Sequence, residues 1–178
     1  MIEHLLHPRI TENKDWATLL FVLSFLIIAL TKSVFENRFG DFINLVFSDK
    51  YIKVYKDSSH LKSGFTISLF FVQVVSLAFF IQISLSIFGY ASKTDWLLYI
   101  QIITFLIFFI LAKYLIEKII ATSFNIEDFM EHFNLQKVTY RTYIGLFILP
   151  INIILFYYDA VSKNIPLIII GLVLVINM

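Results

Sequence analysis

Side chains that could do chemistry are few in this chain, and they fall into two groups. The first is Asp128 and His132, within "NIEDFMEHFNLQ" at residues 125–136. Their i,i+4 spacing sets a carboxylate and an imidazole on one helix face, a donor pair that takes a transition metal when facing helices bring more ligands. Glu127 and Glu131 repeat the spacing, but no second helix supplies partner ligands, and His4, His7 and His60 follow no zinc spacing. The stretch therefore reads first as a solvated acidic face, with no metal expected. The second group is neutral: Gln73, Gln101 and Asn152, each within a long apolar run. Amides at such positions either hydrogen-bond between helices, at roughly 0.6–2 kcal/mol each, or line a path for a neutral solute.

Other chemistry is missing. There is no cysteine, which removes disulfides, thiolate metal sites and a Cys nucleophile. No H-E-x-x-H, G-x-S-x-G or Walker loop is present, and five glycines leave no phosphate-cradling loop. No Asp, Glu, Lys, Arg or His lies deep in an apolar run, whereas proton relays and ion pumps use such groups. Neither an enzyme nor a cofactor is expected. A net charge of +1 offers no footprint for nucleic acid.

The elements that must position these residues are membrane helices. The chain is 59% hydrophobic with 20 Phe among 178 residues, more apolar surface than a water-soluble core of this size can use. Five charge-free stretches approach the roughly 20 residues that cross a hydrocarbon core: 16–31, 63–92, 96–112, 142–158 and 164–178. In the second, a helix from Ser63 to Phe88 followed by a turn over Gly89-Tyr90-Ala91-Ser92-Lys93 is expected. Pro150 removes a backbone hydrogen bond in the fourth and predicts a kink. The fifth is short, and its ending "GLVLVINM" suggests a truncated span. Seven charged or titratable residues precede the first run, a poor secretory signal, so that run reads as a retained span. The expected fold is all-α: one membrane domain over 1–178, a multi-pass transmembrane bundle of about five spans or a truncated six.

Asp15-Trp16 and Asp95-Trp96 mark one membrane interface, and Lys32 and Lys113 the other. Alternate sides of the expected topology carry ten and four Lys or Arg residues. The positive-inside rule then places loops 32–62 and 113–141 in the cytoplasm and the N-terminus outside. Asp15 to Asp95 is 80 residues, while Lys32 to Lys113, Glu36 to Glu117 and Gly64 to Gly145 are each 81. Those intervals suggest a tandem two-span repeat, 15–92 and 95–160. Shared anchoring chemistry is the alternative, since Trp suits any headgroup layer and Asp any helix N-cap.

Both cytoplasmic loops are expected to hold an amphipathic helix. In "VFENRFGDFINLVF", Phe35, Phe39, Phe42, Ile43 and Val46 share one face, and Glu36, Arg38, Asp41 and Asn44 point away from it. "SDKYIKVYK" follows, with three Lys suited to anionic headgroups. In the other loop Asn125 is the expected N-cap, ahead of an apolar face of Ile126, Phe129, Met130 and Phe133. Within the spans, Gln73 and Ser76 share a face, as do Gln82 and Ser86.

The strings "DWATLLFVLSFLIIALTKSVFENRF", "FSDKYIKVYKDSS", "YLIEKIIATSFNIEDFMEHFNLQKVTYRTYIGL" and "LPINIILFYY" together resemble a bacterial family of small multi-pass inner-membrane proteins known as a domain of unknown function. The resemblance covers nearly the whole chain. It implies a bacterial inner-membrane protein of about six spans, and no catalytic or binding residue carries over from it. The expected role is a scaffold or assembly partner in a membrane complex, with the bilayer and a membrane protein or a second copy as partners. A small transporter or channel-like module for a neutral or lipid-like solute is the alternative.

Overall fold

The computed structural model describes residues 14–46, 51, 54, 55 and 63–158. Among them are five α-helices and no strand: α1 Asp15–Val34, α2 Glu36–Ile43 with a 3-10 turn over Asn44–Val46, α3 Gly64–Ile87, α4 Trp96–Ser123 and α5 Glu127–Tyr157. Helices α1, α3, α4 and α5 are long and apolar enough to cross a membrane. The expected fifth span, 164–178, lies outside the described residues.

Local chemistry sets the helix ends. Ser63 is the N-cap of α3, its hydroxyl accepting from the Thr66 N–H. Gly89 closes that helix at φ 83°, with Gly89 N–H donating to Ser86 O and Tyr90 N–H to Leu85 O. This is the Schellman pattern, which needs a residue at ease in the left-handed region. Asn125 does the same for α4 at φ 57°, with Ile126 N–H donating to Ala121 O; a short polar side chain tolerates that conformation. Asn125 is thus the C-terminal stop of α4 rather than the N-cap of the next helix. Asp95 caps α4, its Oδ1 accepting from Leu97 N–H at 3.0 Å and Leu98 N–H at 3.2 Å.

Helix α3 is the centre of the bundle. Phe79 on α3 stacks at 4.2 Å on Phe21 of α1 and sits 4.6 Å from Tyr99 of α4 and 5.9 Å from Phe156 of α5. At the other end of α3, Phe65 meets Phe35 and Phe42. These contacts fix the directions: α1 and α4 run against α3, and α5 runs with it. Trp16, Trp96 and Tyr157 gather at one end. Arg38 gathers with Thr66 at the other, and Thr66 borders the cavity that Lys113 and Lys137 also line.

The outer surface is apolar. Within its span-length stretch α4 buries only Tyr99, with Ala121 buried nearer its end; Phe105, Phe108 and Phe109 are exposed. A continuous apolar shell of this kind suits hydrocarbon, not water.

Two expectations about the loops need correcting. No separate amphipathic helix forms over 125–136, because the residues from Glu127 onward are the first turns of the 31-residue α5. The reason is that no Gly or Pro interrupts residues 127–144, so the helix runs straight from its polar start into its apolar half. In the same way α4 continues past Lys113 to Ser123 rather than ending at 112. The α2 helix does form, but it packs on protein: Phe39 and Phe42 cluster with Phe65 and Leu69. Arg38, expected outside, is buried, while Ile43 is half exposed.

Candidate functional site

Four polar residues of the long apolar helices meet where α3 packs on α5. The Thr142 hydroxyl donates to Gln73 Oε1 at 2.9 Å. Asn152 Nδ2 donates to the Ser76 carbonyl at 2.7 Å and to Ser76 Oγ at 3.3 Å. Gln73, Ser76, Thr142 and Asn152 are all buried. Gly145 lies between the two bonded pairs on α5, where a Cβ would stand 2.9 Å from Gln73 Cα. A small residue permits this backbone approach, and the approach brings the amides within bonding reach.

Not every expected residue joins that seam. Gln73 and Asn152 both lie in it, but Gln101 is exposed on α4. Gln82, on the same helix as Gln73, reaches the α3–α4 turn instead. Its Nε2 donates to Asp95 O at 2.7 Å and Ser92 O at 3.3 Å. The hydroxyls of Ser24, Thr31 and Ser84 donate to carbonyls one turn back on their own helices. Gln73 Nε2, Gln82 Oε1 and Asn152 Oδ1 have no hydrogen-bond partner among the described residues.

The aromatic anchors differ from each other. Trp16 is half-buried and turns into the bundle end, stacked on Phe79 at 5.7 Å and 5.1 Å from Tyr99. Trp96 is exposed at the rim, edge-on to Trp16 at 5.8 Å. Asp95 caps its helix, while Lys14 holds the N-cap position of α1 and Asp15 follows in the first turn. Lys32 and Lys113 are exposed near the opposite end. Asp128 is exposed and His132 half-buried, and no group of three His, Cys, Asp or Glu able to hold a metal occurs among the described residues.

Two features escaped the sequence reading. Arg38 is one. Its Nη1 donates to Ser63 Oγ at 2.7 Å, its Nε and Nη2 to Tyr51 Oη at 3.3 and 3.2 Å, and its Nη2 to Thr66 Oγ1 at 3.3 Å. The guanidinium also lies over Phe65 at 4.6 Å and Tyr55 at 4.9 Å, contacts that favour a delocalised cation. Tyr51 lies outside the four long apolar helices; burial lifts its phenol above the ordinary value of 10.0, against the pull of Arg38. The other feature is the ion pair of Lys137 on α5 with Glu117 on α4. Its only sequence signal is that both charges lie one or two turns beyond an apolar run.

A family model described as "Domain of unknown function (DUF4271)" matches residues 17–178. No curated protein and no solved structure matches the chain. The chain belongs to the DUF4271 family.

Proposed function

We propose that this DUF4271 protein is an assembly element of a membrane complex, anchored by its bundle and docked to a partner protein through the tip of the α4–α5 hairpin. The observation that supports this reading is the overhang of that hairpin. At 1.5 Å per residue, α1 is about 30 Å long, matched to a hydrocarbon core, while α4 and α5 are about 42 and 46 Å. The overhang carries Phe124 and Phe129, 72% and 71% exposed, beside Ile126 and Phe133. Glu127, Asp128 and Glu131 lie among them. Anionic headgroups repel such a tip. A basic groove with apolar pockets on a membrane-protein partner suits it.

This role involves no catalysis and no cofactor. Among the described residues, six of the Lys and Arg (Lys32, Arg38, Lys113, Lys118, Lys137, Arg141) belong to the hairpin end and two (Lys14, Lys93) to the Trp16 end. By the positive-inside rule the hairpin end faces the cytoplasm of a bacterial inner membrane. A photoreactive phenylalanine analogue in place of Phe129 tests the docking. A discrete protein adduct is expected, weakened by Glu127→Lys and absent when the analogue replaces lipid-facing Phe108. An unchanged adduct in the charge-reversed protein overturns the proposal.

The second reading, a module passing a neutral or lipid-like solute, draws on the unpartnered Gln73 Nε2 and Asn152 Oδ1. It requires liposome flux that Gln73→Leu or Asn152→Leu abolishes; flux insensitive to both removes this path.

A further inference from the structure

A cavity of about 300 Å³ lies between α3 and the α4–α5 hairpin, separate from the hairpin tip. Part of its lining is hydrocarbon-like: Ile67 and Phe70 from α3, Ile110 and Leu111 from α4. Lys113 and Glu117 from α4 line it too, with Lys137 and Arg141 from α5. Three cations against one carboxylate leave a formal excess of two positive charges. Glu117 is bonded to Lys137 and also lies near Arg141, so it offsets one of the three cations and leaves two positive charges spread over Lys113, Lys137 and Arg141.

The depth of these cations narrows the choice of ligand. Lys113 is 17 residues along α4 from Trp96, about 26 Å, and Arg141 is 16 residues along α5 from Tyr157, about 24 Å. With Trp96 and Tyr157 at one headgroup level, the cations come close to the other. A soluble anion has no use for the Ile67, Phe70 and Leu111 lining, and a neutral tail has no use for the cations. At about 300 Å³ the space is at the small end of ligand pockets; it accommodates a headgroup and the first part of one chain, with the rest lying along exposed α4.

We infer that this cavity binds one anionic phospholipid, its phosphate against Lys113 and Arg141 and its acyl chain along Ile67, Phe70 and Leu111. Basic pockets between membrane helices recognise anionic headgroups by this chemistry. The site goes beyond the assembly role, and its occupancy does not depend on a partner protein.

The test uses the whole chain in neutral detergent, with phosphatidylglycerol, phosphatidylcholine and glycerol 3-phosphate as probes, read by native mass spectrometry and thermal melting. Phosphatidylglycerol is expected to be retained and to raise the melting temperature; the other two are not. Lys113→Gln and Arg141→Gln each weaken phosphatidylglycerol about fivefold. Glu117→Gln removes the one acid and tightens it, a change opposite in sign to damage from misfolding. Leu111→Trp fills the apolar part of the lining and weakens lipid binding with every charge intact. Equal retention of phosphatidylcholine, an equal effect of glycerol 3-phosphate, or unchanged binding in Lys113→Gln and Glu117→Gln overturns the inference.

Discussion

Gly145 on α5 lies against the backbone of Gln73 on α3, so close that a Cβ on residue 145 would stand 2.9 Å from Gln73 Cα. The obstruction is main chain, which cannot rotate away, so α3 and α5 would have to separate. Gly145→Ala is therefore expected to destabilise the bundle by about 1–3 kcal/mol, the usual cost of overpacking. Gly40, in the interior of α2, has nothing within 4 Å of such a Cβ. Gly40→Ala should be neutral or stabilise by up to about 1 kcal/mol through helix propensity. Thermal melting in one detergent compares the pair; equal effects would show that the helices are not locked at Gly145.

The same close approach lets Thr142 reach Gln73 and Asn152 reach Ser76. In a double-mutant cycle, Gln73→Leu with Thr142→Val should show a coupling of roughly 0.6–1.7 kcal/mol, the range found for bonds between membrane helices. Asn152→Leu loses two bonds to Ser76 and should cost about 1–2 kcal/mol. Gln101→Leu is the contrast. Its side chain is exposed on α4, and the change should stay within about 0.5 kcal/mol. Additive effects at Gln73 and Thr142 would mean that their bond does not form in the membrane.

Much of this seam could be read from residue type, but not its partners. Gln73, Gln101 and Asn152 look equivalent as amides in apolar runs. Which of them is inside depends on which face a helix buries, and helices apolar on every side carry no stripe to reveal it. Helix α4 is such a case, so Gln101 gave no sign of pointing outward. Element ends were legible where a stop residue was needed, as at Ser63 and Gly89. They were not where a charge stood in for a stop: Lys113 ends the apolar run but not α4, because a helix leaves the hydrocarbon without unwinding. Arg38 was misplaced for a related reason. Its charge marked it as surface, yet three hydroxyls and two aromatic faces within one fold offset the cost of burying it. Asp15-Trp16 and Asp95-Trp96 are alike as strings, but the second aspartate is the N-cap residue of its helix, whereas the first stands in the first turn after Lys14.

The turn between α3 and α4 hangs on Gln82. Its fully buried amide donates to the carbonyls of Asp95 and Ser92. Gln82→Leu keeps the bulk and removes both bonds. A loss of about 1–2 kcal/mol is expected, with faster amide hydrogen exchange at residues 90–98 and unchanged exchange in α1. Uniform acceleration across the bundle would instead indicate a global rather than a local clamp.

Arg38 makes a demand that no other cation meets. Four donor contacts to Tyr51, Ser63 and Thr66 use the flat, forked guanidinium from several sides. Lysine places one charge at one point, so Arg38→Lys should cost roughly 1.5–3 kcal/mol, against about 0.5 kcal/mol or less for exposed Lys32→Arg. The cage also predicts a response to alkali. Burial raises the Tyr51 phenol above 10.0, with the Arg38 charge and hydrogen bond opposing. The folded protein therefore keeps its phenol proton at a pH where the unfolded chain has lost it. Stability from this group is fully present below pH 10 and declines as pH rises through the folded value, because the unfolded state then binds fewer protons. Tyr51→Phe should start less stable, having lost the bonds to Arg38, and should lose less between pH 10 and 11 than the parent. Parallel pH profiles for the two proteins would show that Tyr51 is not buried against Arg38.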